Sequence, residues 1–214
     1  RGLNSTWTDS LVHNLRPDSN ALVDHLMTVH QKHTGFTEEC ASSCKDETGR
    51  NSYEWLAEIV PVNESLRVLD LACGSGLLLK ILFDRNKNLN LRGLDMCPEE
   101  LELAGSRLKN SEVDLIKSKA QNLTAINDNS IDIVLCHWAL TLMDPIAPVL
   151  NEVRRVLTSR GRFAALVDGP MNAAPGYADV HNLIYSYAQE EIPSYGKIDL
   201  GDSRIRGRES LSNL

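Results

Sequence analysis

The sequence has no uninterrupted apolar run near the ~20 residues of a membrane span, and its opening residues are polar, without the apolar stretch of a signal peptide. A membrane-spanning or secreted class is therefore not expected. Positive charge is in deficit: 22 Lys and Arg against 29 Asp and Glu leave a formal net charge of −7 and a pI near 5.4. That balance works against a broad electrostatic grip on nucleic acid, which draws on clustered Lys and Arg. The basic cluster of Arg204, Arg206 and Arg208 reads either as a solvated segment or as an anionic-substrate site. A cysteine framework is also lacking. Five cysteines are an odd number without a framework pattern, which points to reduced thiols and a cytoplasmic setting. Cys40 and Cys44 have helical i, i+4 spacing, but no His or Cys pair completes the set at ligand spacing, so no metal is expected.

What the chain does have is an ordinary globular make-up. Its 214 residues are 42% hydrophobic and 24% charged, enough for one domain with a sizeable core. The most informative stretch is Val68-Leu69-Asp70-Leu71-Ala72-Cys73-Gly74-Ser75-Gly76-Leu77-Leu78-Leu79. Residues 66–72 are apolar apart from Arg67 and Asp70, the pattern of a parallel strand buried on both faces. Gly74 and Gly76 remove the β-carbons that would block a sharp turn into a helix, or a ligand pressed against the backbone. A dinucleotide fingerprint needs a third glycine three residues further on, for helix packing and pyrophosphate approach. Leu79 stands there instead, and Asp70 would repel phosphate. The turn therefore reads as a socket for a nucleoside with a cationic or zwitterionic arm. A second strand ends in Asp95, about 20 residues past the turn, where a carboxylate can accept both ribose hydroxyls. Pro98, Glu99 and Glu100 then open a helix, the proline fixing the first-turn backbone and the acids matching the dipole.

The run from Val68 to Leu79 resembles motif I of the class I S-adenosylmethionine-dependent methyltransferases. Residues 89–98, 114–123, 128–140, 143–145, 150–157 and 161–163 follow in that family's order and spacing, the last of these implying a glycine turn at Gly161 into the fifth strand, so the resemblance covers roughly 50–168. It implies an α/β fold: a Rossmann-like doubly wound sheet in strand order 3-2-1-4-5, with helices on both faces. The family's sheet normally adds a sixth and a seventh strand after a helix like residues 208–214, where this chain stops. The expectation is a fragment, or an open sheet edge covered by another chain in a homo-oligomer. Arg1 stands first instead of a methionine, so the true N-terminus is expected to lie further upstream.

The resemblance also implies the ligand, S-adenosyl-L-methionine with S-adenosyl-L-homocysteine as product, and the residues around it. Asp70, Ala72, Cys73, Gly74 and Gly76 form the turn, and Asp95 and Met96 take the ribose side. Ala120 and Gln121 fall where the family contacts adenine. Here Lys119 replaces the usual acid and Gln121 the usual glutamate, which leaves the base to the backbone near Ala120 and to the Gln121 amide. Cys136 and His137 end the fourth strand beside the methionine arm. Arg50 and Tyr53 fall near its carboxylate, or else are a solvated arginine and a packing tyrosine. His137 is the candidate catalytic base, titrating near neutrality, or it only lines the pocket. Trp138, Tyr177 and His181 are candidates for the acceptor pocket, with packing as the competing role of each.

Around this core the chain divides into three. Residues 1–50 are expected to form a helical cap, with Leu22, Val23, Leu26 and Val29 or His30 at helix-face spacing between residues 20 and 33. Residues 51–168 form the cofactor-binding core, and its helix over 146–157 is capped by Asp144 with Pro145 in the first turn. Residues 169–214 are a substrate-side segment: a loop to Gly176, a helix over 177–191, and a short terminal helix. The function expected is methyl transfer to O, N or C of a small molecule by in-line displacement. Its alternatives are an RNA or protein methyltransferase, weakened by the acidic balance, and a non-catalytic S-adenosylmethionine-binding module.

Overall fold

Apolar side chains occupy successive positions at Val68–Leu69 and Ile133–Cys136, so each segment presents apolar groups to both sides and is stable only inside a sheet covered on both faces. The computed structural model describes residues 18–169, 174–191 and 201–214 and places both segments at the centre of one sheet. The strands are β1 (Arg67–Leu71), β2 (Asn90–Asp95), β3 (Val113–Lys117), β4 (Ile131–His137) and β5 (Leu157–Leu166). Every pairing is parallel and the order is β3-β2-β1-β4-β5, as expected. Beyond β3 and β5 no further strand is paired among the described residues.

Helices cover both faces. On one side α6 (Ile146–Val156) turns Ile146, Val149, Val153 and Val156 inward, a stripe at helical spacing that joins Leu69, Leu71, Val134 and Cys136 in one apolar cluster. Ile205 belongs to the same cluster, so the short C-terminal segment of a 3-10 turn (Ser203–Arg206) and α8 (Arg208–Ser212) is pinned to the core. On the other side α3 (Ser52–Ala57) and α4 (Leu77–Arg85) bury Leu56, Ala57, Leu78, Leu79 and Leu82 against Val68, Ile133 and Leu135. Helix α5 (Pro98–Arg107) follows β2, and the N-terminal helices α1 (Ser19–Lys32) and α2 (Phe36–Ser43) pack against α5 and α3 respectively. Helix α7 (Tyr177–Glu191) leaves Val180, Leu183, Ile184 and Tyr187 more than half exposed.

Two local readings need correction. Pro145, not Asp144, occupies the N-cap position of α6, with extended backbone and no side-chain cap bond. Gly161 is not a turn that precedes β5. It lies within the strand, in an irregularity where Ile131 pairs with Leu157 and Ile133 already pairs with Arg162. The expected loop from 168 to 176 lies outside the described residues over 170–173, as do the first 17 residues of the expected cap.

The absence of a third glycine at Leu79 has a structural counterpart. Leu79 is fully buried on α4, and a β-carbon at Gly93 would lie 2.6 Å from its Cδ1, 2.9 Å from Cys73 Sγ and 3.0 Å from Leu115 Cδ2. The close approach of helix to sheet is thus provided by a glycine on the strand. A Gly93→Ala variant, overpacked from three sides, is expected to lose about 1–3 kcal/mol of unfolding free energy, measured by urea denaturation. Unchanged stability would show that this contact can relax.

Candidate functional site

The sheet order changes direction between β1 and β4, and at such a switch point the loops leaving the carboxyl ends of the strands diverge and open a crevice. One cleft occupies that place, with an empty volume of about 1090 Å³ counted to its open mouth. Its first wall is the turn after β1. Ala72 (φ 60°), Gly74 (φ 48°) and Gly76 (φ 75°) all take left-handed backbone, which lets the chain reverse into α4. Ala72, Cys73 and Gly74 line the cleft; Gly76 does not, because it faces Ala104 of α5, where an added β-carbon would lie 2.9 Å from the Ala104 methyl.

Asp95 holds this turn in place. Its Oδ2 accepts from the Gly74 amide at 2.8 Å and its Oδ1 from the Cys97 amide at 2.9 Å, so one carboxylate ties the turn after β1 to the start of α5. Burial pushes the Asp95 carboxyl up, against the pull of those two amides. Asp70 is buried still deeper, and its Oδ1 has no hydrogen-bond partner. Desolvation, with the Asp95 charge beside it, raises its pKa to about 8. The opposite rim carries Ser118, Lys119, Ala120 and Gln121, and Met96 lies beside Asp95. That rim is fastened from behind by Arg155 of α6, which donates to the Leu123 carbonyl at 2.9 Å, to the Ile126 carbonyl at 3.0 Å and to the carboxylates of Glu152 and Asp128.

The floor is aromatic. His137 ends β4 and stacks on Tyr53 of α3 with ring centroids 3.7 Å apart, while Trp138 continues the stack at 5.5 Å. Ser52 Oγ lies 2.9 Å from His137 Nε2, and Nδ1 is buried without a partner. A capping box between Asn51 and Glu54 sets the start of α3, and with it the positions of Ser52 and Tyr53. Burial lowers the His137 pKa to about 4, leaving a neutral imidazole at physiological pH. Burial also raises the Tyr53 hydroxyl, which stays protonated. Cys136 is buried and does not line the cleft; desolvation and the nearby Asp70 charge push its thiol up to about 12.

Other expected site residues lie elsewhere. Arg50 does not line the cleft: its guanidinium is taken by Glu58 at 2.5 Å, Asp46 at 3.6 Å and Thr48 at 2.8 Å, and it sits over the Trp55 ring. These partners are local in sequence and face solvent, so the solvated reading of Arg50 replaces the carboxylate one. Tyr177 and His181 do not line the cleft either. They pack on each other along α7, 4.5 Å between rings, as side chains four residues apart on a helix do. Arg204 pairs with Asp202 at 2.6 Å on the exposed side of the Ile205 anchor. Cys40 and Cys44 are free and exposed, and among the described residues no group of three metal-ligating side chains occurs.

The N-terminal helices supply what sequence reasoning missed. Glu100 is 2% exposed; its Oε1 lies 2.9 Å from His30 Nδ1 of α1 and accepts from the Gly35 amide at 3.0 Å. Glu38 of α2 receives the Arg107 guanidinium at 2.7 and 2.9 Å and is hydrogen-bonded to Ser75 of the glycine turn. The Arg107 guanidinium also reaches the Ser75 carbonyl at 2.8 Å. Leu22, Val23 and Leu26 of α1 close the cleft from above. A helix-start acid such as Glu100 carries no local mark of burial, and the Glu38–Arg107 pair spans 69 residues, beyond any spacing rule.

Residues 69–165 match the family model described as a methyltransferase domain. The chain is 32% identical over 144 residues to a demethylmenaquinone methyltransferase of Thermotoga maritima, covering 67% of this chain and 60% of that protein. It is 29% identical over 137 residues to a malonyl-[acyl-carrier protein] O-methyltransferase of Pectobacterium atrosepticum, covering 62% of this chain and 52% of that protein. The chain therefore spans little more than half the length of these curated relatives. The YcgJ protein of Bacillus subtilis shares the fold with a TM-score of 0.55 at 22% identity, over 76% of this chain and 66% of that one.

Two expected outcomes follow from the buried charges. The partnership with Glu100 raises the His30 pKa, so His30 contributes stability that is complete below about pH 6.5 and is lost as pH rises through the raised value. A His30→Gln variant should lose about 1–2 kcal/mol at pH 5.5 and less at pH 9, by urea denaturation; a pH-independent loss would contradict the pairing. Asp70 has the opposite effect at neutral pH, since an acid whose folded pKa is raised costs stability progressively from about pH 4 to about pH 8. Asp70→Asn should stabilise the free protein at pH 8 by on the order of 1–3 kcal/mol and little at pH 4, measured by thermal unfolding across that range.

Proposed function

We propose, from the match of residues 69–165 to a methyltransferase-domain model and the 32% identity to a demethylmenaquinone methyltransferase, that this chain is a class I S-adenosylmethionine-dependent methyltransferase that transfers a methyl group to O, N or C of a small-molecule acceptor. The observation that carries the reading is the pair of buried carboxylates, Asp70 and Asp95, facing a cleft at the β1–β4 switch point. Such a site disfavours phosphate and favours a ligand with hydroxyl donors and a positive charge. The residues present fit S-adenosyl-L-methionine on two grounds: the orphaned Asp70 Oδ1, and the Ala72–Gly74 backbone bent to receive a ligand.

In this reading Asp95 takes the ribose hydroxyls, with Met96 at its side. Ala120 and the Gln121 amide meet the adenine, and Asp70, Cys73 and Gly74 line the amino-acid arm. Gly76 and Cys136 support the turn and the β4 floor from behind. When bound, S-adenosyl-L-methionine supplies a methyl on a positively charged sulfur, and S-adenosyl-L-homocysteine remains after transfer. The protein's share is largely positioning, which in favourable cases contributes up to about 7–11 kcal/mol.

His137 and Trp138 form the acceptor side. An imidazole with a pKa of about 4 is a weak base at neutral pH, so the catalytic role we assign to His137 is to orient the acceptor by a hydrogen bond at Nδ1. Residues 18–50 act as the cap, residues 51–168 as the binding core and the described parts of 169–214 as its substrate side. The acidic balance favours a small molecule over nucleic acid, and the outer edges of β3 and β5, unpaired among the described residues, leave room for a second copy. Among the described residues no helix is long and apolar enough to cross a membrane; the five free cysteines support a reducing, cytoplasmic setting.

Calorimetric titration should show binding of S-adenosylmethionine and S-adenosylhomocysteine but not NAD, and Asp95→Ala should weaken it by about 1–3 kcal/mol. Tight NAD binding would overturn the reading. Methyl transfer to a small-molecule acceptor pool, in preference to RNA or protein, identifies the acceptor class; binding without any turnover supports a non-catalytic module instead.

A further inference from the structure

Glu100 is one of the buried acids that line the cleft. It is 2% exposed on the first turn of α5, its Oε1 is engaged by His30 Nδ1 and the Gly35 amide, and its Oε2 is buried with no hydrogen-bond partner. That free oxygen is aimed at the glycine turn: a β-carbon built on Gly74 would meet Glu100 Oε2 at 3.8 Å. The Gly74 amide is the same group that Asp95 Oδ2 accepts, so two carboxylates converge on one residue of the turn. Both line the cleft, and each disfavours the other's charge, as the upward push of Glu100 on the Asp95 carboxyl records.

Two adjacent carboxylates at a buried turn are most stable when a ligand brings hydroxyl donors to the lone pairs that the protein leaves unpaired. A vicinal diol does this without adding a charge. We infer that Glu100 is a second ribose-binding residue, whose Oε2 accepts one hydroxyl of the donor's ribose beside Asp95 while its Oε1 holds the α1–α2 connection over the cleft. The inference rests on the ribose reading of Asp95 given above.

The arrangement couples two events through one side chain. Gly35 lies between α1 and α2 with left-handed backbone (φ 79°), and a β-carbon there would crowd Leu103 Cδ2 of α5 at 3.3 Å. The connection is therefore fitted closely to α5, at the point where its amide reaches Glu100. A ribose hydroxyl donating to Oε2 fixes the carboxylate plane, and with it the acceptor presented to His30 and Gly35. Seating of the cap and retention of the nucleoside then reinforce each other.

The test compares the protein with its Glu100→Gln variant, which keeps shape and volume, using S-adenosylhomocysteine and its 2′-deoxy and 3′-deoxy analogues in calorimetric titrations. Loss of a hydrogen bond to a charged acceptor predicts binding of S-adenosylhomocysteine weaker by about tenfold or more. The penalty should fall to within about threefold for the analogue that lacks the hydroxyl held by Glu100. An equal penalty on all three ligands would assign Glu100 a purely structural role and overturn the inference. If the unmodified protein binds none of them, the ribose reading itself fails. Should the glutamine variant not fold, Glu100→Asp, which keeps the charge and withdraws it by one methylene, supplies the same comparison with the same criteria.

Discussion

The site depends on the Asp95 carboxylate. Its two oxygens accept the amides of Gly74 and Cys97, and those amides belong to the turns that follow β1 and β2. Without that bridge each turn would have to satisfy a buried N–H elsewhere, at a cost comparable to a lost hydrogen bond. With it, two adjacent strands present their carboxyl ends in fixed relation, and the backbone between Ala72 and Gly76 can stay left-handed at three of its positions. An anion is therefore structural first. Any role toward a ligand uses the lone pairs that remain.

Much of this was legible in the sequence because it is local. The strand-turn-helix from Val68 to Leu79, the acid ending β2 and the apolar stripe of α6 each lie within a dozen residues, where periodicity and glycine placement decide the outcome. Strand order followed from the family resemblance and matched the sheet. What escaped was non-local or concerned direction. For Arg50 the sequence leaves a carboxylate contact and a solvated arginine both open, and only the fold shows that Glu58, eight residues on, captures it. For Tyr177 and His181 the sequence leaves the acceptor pocket and packing both open, because nothing in a helix pattern says which way its face turns. Leu79 in place of a third glycine reads against a pyrophosphate. Its counterpart, a glycine at position 93 that makes room for it, becomes visible only when strand and helix are in register.

The acids also show how a binding cleft departs from a stable core. Asp70, Asp95 and Glu100 are all at most 8% exposed, in a fold where burying a carboxylate without full hydrogen bonding is unfavourable. Asp70 and Glu100 each retain an oxygen without a partner. The surrounding apolar clusters are continuous on both sheet faces, so the strain is confined to one end of the sheet and carried by the rest. His30 offsets part of it by bringing a counter-charge from α1 to that end.

Arg155 shows how the far side of the molecule takes part. It sits on α6, outside the cleft, yet its guanidinium spans the carbonyls of Leu123 and Ile126 in the segment that continues from the Ser118–Gln121 rim. The rim is in effect a cantilever clamped at its base by one planar cation. Stiffness at the ligand edge can then be adjusted from a position that no ligand touches, so selection for affinity and selection for the shape of the binding surface can proceed on separate residues.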